Sequence, residues 1–208
     1  MVFDAEDGGA LGLVDRVPRL AVINAKGART LDTVFNIHGV RWNSGRYFTD
    51  GGQTKVDAEY ARMDAANERA KTIASAIEIN RPVNLAKALR ALEVMNGQGS
   101  RSFDASNPVG VVRSVDDDTI RHYKALVGRH GFGCEPASAC SVAGAHMLRQ
   151  EGLIKADHTV ACILTGHVLK DPDITVNYHT ASPPTTHGNA PVKVPNDLGA
   201  ILKAMGAG

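Results

Sequence analysis

The ten residues from Pro136 to Ala145, PASACSVAGA, carry no charge and almost no side-chain bulk, and they constrain the fold more than any other stretch. Pro136 is tolerated at the first position of a helix, where its missing N–H would be unbonded in any case. Glu135 is then the N-cap residue. Glutamate is not a favoured cap, but its charge suits the positive end of the helix dipole. Ser138 falls in the first turn, beside N–H groups that no carbonyl of the helix reaches. A helix whose faces hold Ala137, Ala139, Ala143, Gly144 and Ala145 is buried and closely approached, either by other backbone or by a ligand. On the residues alone, a tightly packed core helix is the plainer of these two readings.

A second feature lies about thirty residues on. Val160-Ala161-Cys162-Ile163-Leu164 is apolar, short and followed by turn residues, which predicts a buried strand. It leads into Thr165-Gly166-His167, a hydroxyl and a bare backbone at the strand end. An ordinary strand-to-loop turn accounts for that pair equally well. In open α/β sheets, however, ligands sit beyond the carboxyl ends of strands and near helix N-termini, and both features lie at such ends.

The rest of the chain supports an α/β reading. Leu20 to Ile23 after Pro18 is a short apolar run, hence a strand, with a loop from Ala25 to Thr30 in which Gly27 allows close approach. Thr33 to Lys55 has no clear period; it is an irregular excursion, with a lid or subunit contact as its functional alternative. It carries Trp42, the only tryptophan. Val56 to Ala70 is charged and alanine-rich, consistent with a helix. Asn84 caps a clearer helix to Asn96, with Leu85, Leu89 and Leu92 on one face and Gly97 at its end. Val109 to Val115 reads as a strand. Asp116 then caps a helix to Arg129, with Val115 and Ile120 spaced as a hydrophobic staple and Ile120, Tyr123 and Val127 facing inward. Alternating strands and helices of this kind indicate an α/β chain. Beyond Asp173 the Pro- and Thr-rich segment reads as extended, and Asn196 to Met205 as a short terminal helix.

Composition excludes several classes. With 23 basic and 22 acidic residues among 208, the net charge of +1 offers nothing to nucleic acid or to a charged membrane surface. No run reaches the ~18 apolar residues needed to span a bilayer. Met1 to Gly12 is acidic and then glycine-rich, has no secretory leader pattern, and is expected to fray. Cys134, Cys140 and Cys162 sit in mostly apolar sequence and fit buried, reduced thiols of a cytoplasmic protein. Cys134, Cys140 and His146 are irregularly spaced with no paired C-x-x-C, so no metal site is expected. There is no G-x-G-x-x-G after a strand and no Walker loop.

The ordered set Glu135-Pro136-Ala137-Ser138-Ala139, Leu164-Thr165-Gly166-His167 and Leu169-Lys170-Asp171-Pro172 closely resembles the C-terminal part of the threonine synthase family. Upstream, Leu13-Val14-Asp15-Arg16-Val17-Pro18-Arg19-Leu20-Ala21-Val22-Ile23-Asn24-Ala25, Thr72-Ile73-Ala74-Ser75-Ala76-Ile77, Pro82-Val83-Asn84 and Lys87-Ala88-Leu89-Arg90-Ala91-Leu92 resemble that family too. The likeness runs from about Leu11 to Asp173 and is weaker from Ala28 to Glu68. It implies part of a fold-type II, tryptophan-synthase-β-like open twisted sheet flanked by helices. It also implies pyridoxal phosphate as cofactor and the conversion of O-phosphohomoserine and water to threonine and phosphate. By the same resemblance Thr165 would hydrogen-bond the pyridine nitrogen, with Glu135, Ser138 and Gly166 lining that side of the ring.

The departures are as informative as the matches. The family's cofactor-binding lysine lies in an upstream Ser-Phe-Lys-Asp type motif, and its phosphate is held by an asparagine- and glycine-rich loop; neither motif occurs here. Lys170 follows a strand candidate, but the resemblance assigns it no covalent role, so an exposed or ion-paired role is expected. Val168 replaces the usual glycine after Gly-His. The expectation is a C-terminal portion of such an enzyme over residues 1–175 with an extension over 176–208. It would hold no catalytic residue of its own, be inactive alone, and either form a homo-oligomer or need an N-terminal half. Two alternatives stay open: another enzyme of the same fold such as a threonine dehydratase, and a non-catalytic binding module.

Overall fold

The computed structural model describes residues 18–97 and 110–206. The expected frayed start at Met1 to Gly12, the resembling residues Leu13 to Val17, and Val109 lie outside the described residues. Within them the chain is α/β, with seven helices and one two-stranded parallel sheet. Strand β1, Ala21–Ala25, pairs with β2, Val111–Val115, so that Ala21 faces Val111 and Ala25 faces Val115.

After β1 the chain turns through Lys26–Ala28 into α1, Thr30–Asp32, which widens into a π-turn at Thr33–Ile37. The expected close approach at Gly27 is real: a β-carbon there would stand 1.8 Å from the Lys71 carbonyl oxygen. The stretch to Gly51 is built of short turns, as its lack of period implied. Asn43 and Ser44 both take φ of +54°, and their N–H groups each donate 2.7 Å bonds to the Glu93 carboxylate. Two successive amides curled around one carboxylate form a backbone nest. Trp42 stacks beside Tyr47, which is buried.

Helix α2, Gly52–Ala65, begins earlier and ends earlier than its charged, alanine-rich sequence implied. It stops because Asn67 takes φ of +49° and the Glu68 N–H returns to the Met63 carbonyl. That is the left-handed termination asparagine permits. Helix α3, Leu85–Gly97, buries Leu85, Leu89 and Leu92 as its spacing predicts. They meet Phe35, Val40, Tyr47 and Val112 in the first of the apolar clusters.

Asp116 caps α4, Asp117–Arg129, its Oδ1 accepting the Thr119 N–H at 2.9 Å. Ile120 and Val127 are buried, Tyr123 partly so. Helix α5, Pro136–Gln150, packs against α4 and against both strands. Its small residues allow this: a β-carbon on Gly144 would stand 2.2 Å from Ile23 Cγ1. Ala139, Cys140 and Ala143 join Ala25, Val115, Ile120 and Cys134 in a second cluster. Cys134, Cys140 and Cys162 are free thiols, the first two buried, and burial pushes Cys140 up to about 12.

Two expectations change. Val160–Leu164 is not a strand, and it is not buried: Val160, Ile163 and Leu164 are 46%, 77% and 37% exposed. A strand needs a neighbour to satisfy its backbone groups, and the sheet formed by the described residues contains only β1 and β2. The run instead lies along α5, where Cys162 Sγ reaches the Ser141 carbonyl at 3.6 Å. Second, Pro172–His179 forms a helix, α6, where the sequence marked no regular element. Beyond it the chain carries no regular element until α7, Leu198–Ala204, capped by Asp197. No helix among the described residues is long and apolar enough to cross a membrane.

Candidate functional site

Glu135, Ser138, Thr165 and Gly166 converge at the N-terminus of α5. Glu135 takes extended φ and ψ of −73° and 161°, as an N-cap residue does, and Pro136 follows at the first helical position. Its side chain does not cap the helix. The Glu135 N–H donates to the Thr165 carbonyl at 3.1 Å, while its carboxylate turns toward the Thr165 side chain. Ser138 Oγ accepts the Thr165 N–H at 2.9 Å and lies 2.9 Å from Thr165 Oγ1. The first turn of α5 thus holds Thr165 by its backbone and by its hydroxyl.

The Thr165 hydroxyl donates to Glu135 Oε1 at 2.7 Å. The other carboxylate oxygen, Oε2, accepts from Lys170 Nζ. Glu135 is 8% exposed, whereas the Lys170 side chain is 43% exposed. Lys170 and then the Thr165 hydroxyl hold the Glu135 carboxyl below the usual carboxylate range, against the upward push of burial. The ion-paired role expected for Lys170 is therefore what the structure contains. Its partner could not be read from the chain, since the two lie 35 residues apart.

Gly166 has φ of +72°, and a β-carbon there would lie 2.8 Å from Glu135 Cβ. Both facts require glycine, and they leave bare backbone beside the Thr165 hydroxyl. His167 turns back on its own loop, its Nδ1 accepting the Leu169 N–H at 3.1 Å. Val168 packs toward Gly133, where a β-carbon would stand 3.0 Å from Val168 Cβ. Asp171, with φ of +55°, accepts from Ser75 Oγ at 3.0 Å, so the Thr72–Ile77 segment is fastened beside this cluster. Among the described residues no group of three or more His, Cys, Asp or Glu side chains is disposed to hold a metal ion.

The donor set suits one edge of a heteroaromatic ring: an uncharged hydroxyl flanked by bare backbone. It imposes a condition as well. A hydroxyl has one proton, and here Glu135 accepts it. Donation from Thr165 to an unprotonated ring nitrogen requires the hydroxyl to rotate away from Glu135, whose charge stays balanced by Lys170. Cavities of about 380 and 310 Å³ lie elsewhere and include none of these residues.

No family model matches the chain. Individual proteins do. A threonine synthase of Methanocaldococcus jannaschii is 27% identical over 194 residues, covering 93% of this chain and 37% of that protein. One of Methanosarcina acetivorans is 31% identical over 167 residues, 80% of this chain and 33% of that protein. One of Synechocystis sp. is 36% identical over 136 residues, 65% of this chain and 30% of that protein. The chain is related in sequence to the threonine synthases, and it spans about a third of the length of the curated relatives it matches.

Proposed function

We propose that this chain supplies one wall of a threonine-synthase-type site of fold type II. The cofactor-binding lysine and the phosphate-holding loop would come from polypeptide outside this sequence. The reaction would convert O-phospho-L-homoserine and water to L-threonine and phosphate. Pyridoxal phosphate, when bound, supplies an electron sink for that chemistry. The observation that carries the reading is the meeting of Glu135, Ser138 and Thr165, thirty residues apart in sequence, within hydrogen-bond distance. These are the residues of the two motifs that resemble the family.

In this reading Thr165 would hold the ring nitrogen through a neutral hydroxyl, which would orient the ring without the charge a carboxylate would bring. Ser138 fixes the Thr165 backbone. Gly166 would leave room for the ring. Glu135 accepts the Thr165 hydroxyl proton in this structure, and the hydroxyl would have to turn from Glu135 to hold a ring nitrogen. Lys170 balances Glu135 in both arrangements and does not attack the cofactor.

The test uses this chain joined to a first half that supplies the lysine and the phosphate loop. Thr165→Val keeps shape and loses the hydroxyl; it should lower turnover by roughly threefold to tenfold, the value of one net hydrogen bond of about 0.5–1.5 kcal/mol. Thr165→Ser should retain most activity. Wild-type turnover in the valine variant removes Thr165 from the site. Alone, this chain should form no covalent bond to the cofactor. Borohydride reduction followed by peptide mapping should find no stoichiometrically labelled lysine, and such a lysine would refute the assignment of that role to other polypeptide.

A further inference from the structure

The cavity of about 380 Å³ is lined by Asp64, Arg69, Ala70, Glu78, Asn80 and Arg81. It shares no residue with the Glu135–Thr165 cluster. One wall is the strap between Glu68 and Arg81, and its shape is fixed by hydrogen bonds within the chain. The Lys71 N–H donates to the Gly27 carbonyl at 2.9 Å. Asn80 Nδ2 donates to the Glu68 carbonyl at 2.7 Å, and Asn80 Oδ1 accepts the Ala70 N–H. Thr30 Oγ1 donates to the Asn80 carbonyl at 2.7 Å. The wall is therefore built before any ligand arrives.

The charges divide into two kinds. Arg81 and Asp64 are bound to each other, with Arg81 also lying over the Tyr60 ring. Arg69 and Glu78 are not joined. Among the described residues, Arg69 donates only to the carbonyl of its neighbour Glu68. Glu78 uses Oε2 for the Thr72 N–H at 2.9 Å and leaves Oε1 unspent. A guanidinium with unused donors and a carboxylate with an unused acceptor thus line one cavity without meeting.

We infer that this cavity binds a small zwitterionic α-amino acid, its carboxylate on Arg69 and its ammonium on Glu78. Guanidinium matches carboxylate through paired N–H bonds, and a carboxylate oxygen accepts readily from an ammonium. The volume falls at the small end of the ~300–1,000 Å³ common for small-molecule sites. Both side chains are exposed, so each contact is screened and the affinity is millimolar in order. A ligand with one charge engages only half of the site.

The experiment is an NMR titration of the full chain, following the Arg69 Nε–H, the Asn80 side-chain amide and the Glu78 backbone amide. Glycine is the probe; acetate and methylammonium at matched ionic strength are its separate halves. Glycine should give saturable shifts at all three groups and bind several-fold more tightly than either half. Arg69→Gln and Glu78→Gln should each weaken it by roughly twofold to fivefold. Arg69 donates only to its neighbour's carbonyl, and glutamine at 78 keeps an oxygen to accept the Thr72 N–H, so neither substitution endangers the fold. Acetate shifting the same groups as strongly as glycine would reveal a bare anion patch and overturn the inference. So would glycine leaving the groups unmoved, or binding both variants as it binds the parent chain.

Discussion

Replacing Glu135 by glutamine leaves the shape of the α5 N-terminus and removes its charge. In the parent chain Oε1 accepts from Thr165 and Oε2 from Lys170. The amide of glutamine still accepts from Thr165, but as a neutral partner at about half the strength. Lys170 loses its counter-charge; because its side chain is 43% exposed, that loss is at most about 1 kcal/mol. The negative charge at the positive end of α5 also goes, at roughly 0.3–1 kcal/mol. Together the expected cost is about 2 kcal/mol at neutral pH, read from urea denaturation followed by circular dichroism. The pH dependence supplies a second reading. The Glu135 carboxyl titrates lower in the folded chain than in the unfolded one. Its contribution is thus complete above the unfolded carboxylate pKa and is lost as pH falls through the folded value. The stability gap between parent and Glu135→Gln should close in acid. Equal stability at neutral pH, or a gap that stays constant into acid, would refute the reasoning.

Gly27→Ala should be strongly destabilising, by about 1–3 kcal/mol or more, because the obstacle is the Lys71 backbone oxygen and not a movable side chain; thermal melts check it. Gly144→Ala meets the side chain of Ile23 and should cost less than Gly27→Ala, since a side chain can shift; the reverse order in the same melts would contradict the packing argument. Glu59 is 4% exposed and accepts from Arg62 and from His38 Nε2 at 3.0 Å, so Glu59→Gln should cost about 1–3 kcal/mol. The Arg62 hydrogen bond first, and that of His38 after opposing burial, hold Glu59 below the usual carboxylate range. Its contribution too should vanish as pH falls through the folded value, measurable as convergence of the two denaturation midpoints in acid.

Local chemistry was legible wherever a local signal existed. Glu135-Pro136, Asp116 and Asn84 marked helix starts that the structure contains within a residue. The leucine spacing in α3 marked its buried face. Two of the three expected strands came out at nearly their expected places, because apolar runs flanked by turns encode pairing strength without naming the partner. What failed is instructive. Val160–Leu164 has the composition of a strand, but composition cannot supply a neighbour, and the run lies unpaired along α5. The helix at Pro172–His179 was missed although Asp171-Pro172 is a start signal, because the residues beyond looked extended. In the candidate site, the motif residues could be named from the chain. The route of the Thr165 proton to Glu135, and of Glu135 to Lys170, could not, since both depend on contacts between distant segments.

The register between β1 and β2 carries a consequence for the order of folding. The two strands are parallel neighbours, yet everything from Lys26 to Gly110 lies between them in the chain. Strand β2, α4 and α5 follow one another directly and pack together. They can assemble with short-range closures, while β1 must be recruited from far upstream. Closure entropy grows only with the logarithm of loop length, so this long return costs about 2 kcal/mol more than a loop of about ten residues. The effect on rate is larger, because a distant strand cannot add to the nucleus until the intervening segment has compacted. Mutations in the α4–α5 interface should therefore slow folding, and mutations in β1, Ile23 above all, should mainly hasten unfolding. Until β1 arrives, the small-residue face of α5 that receives Ile23 at Gly144 stands open to water.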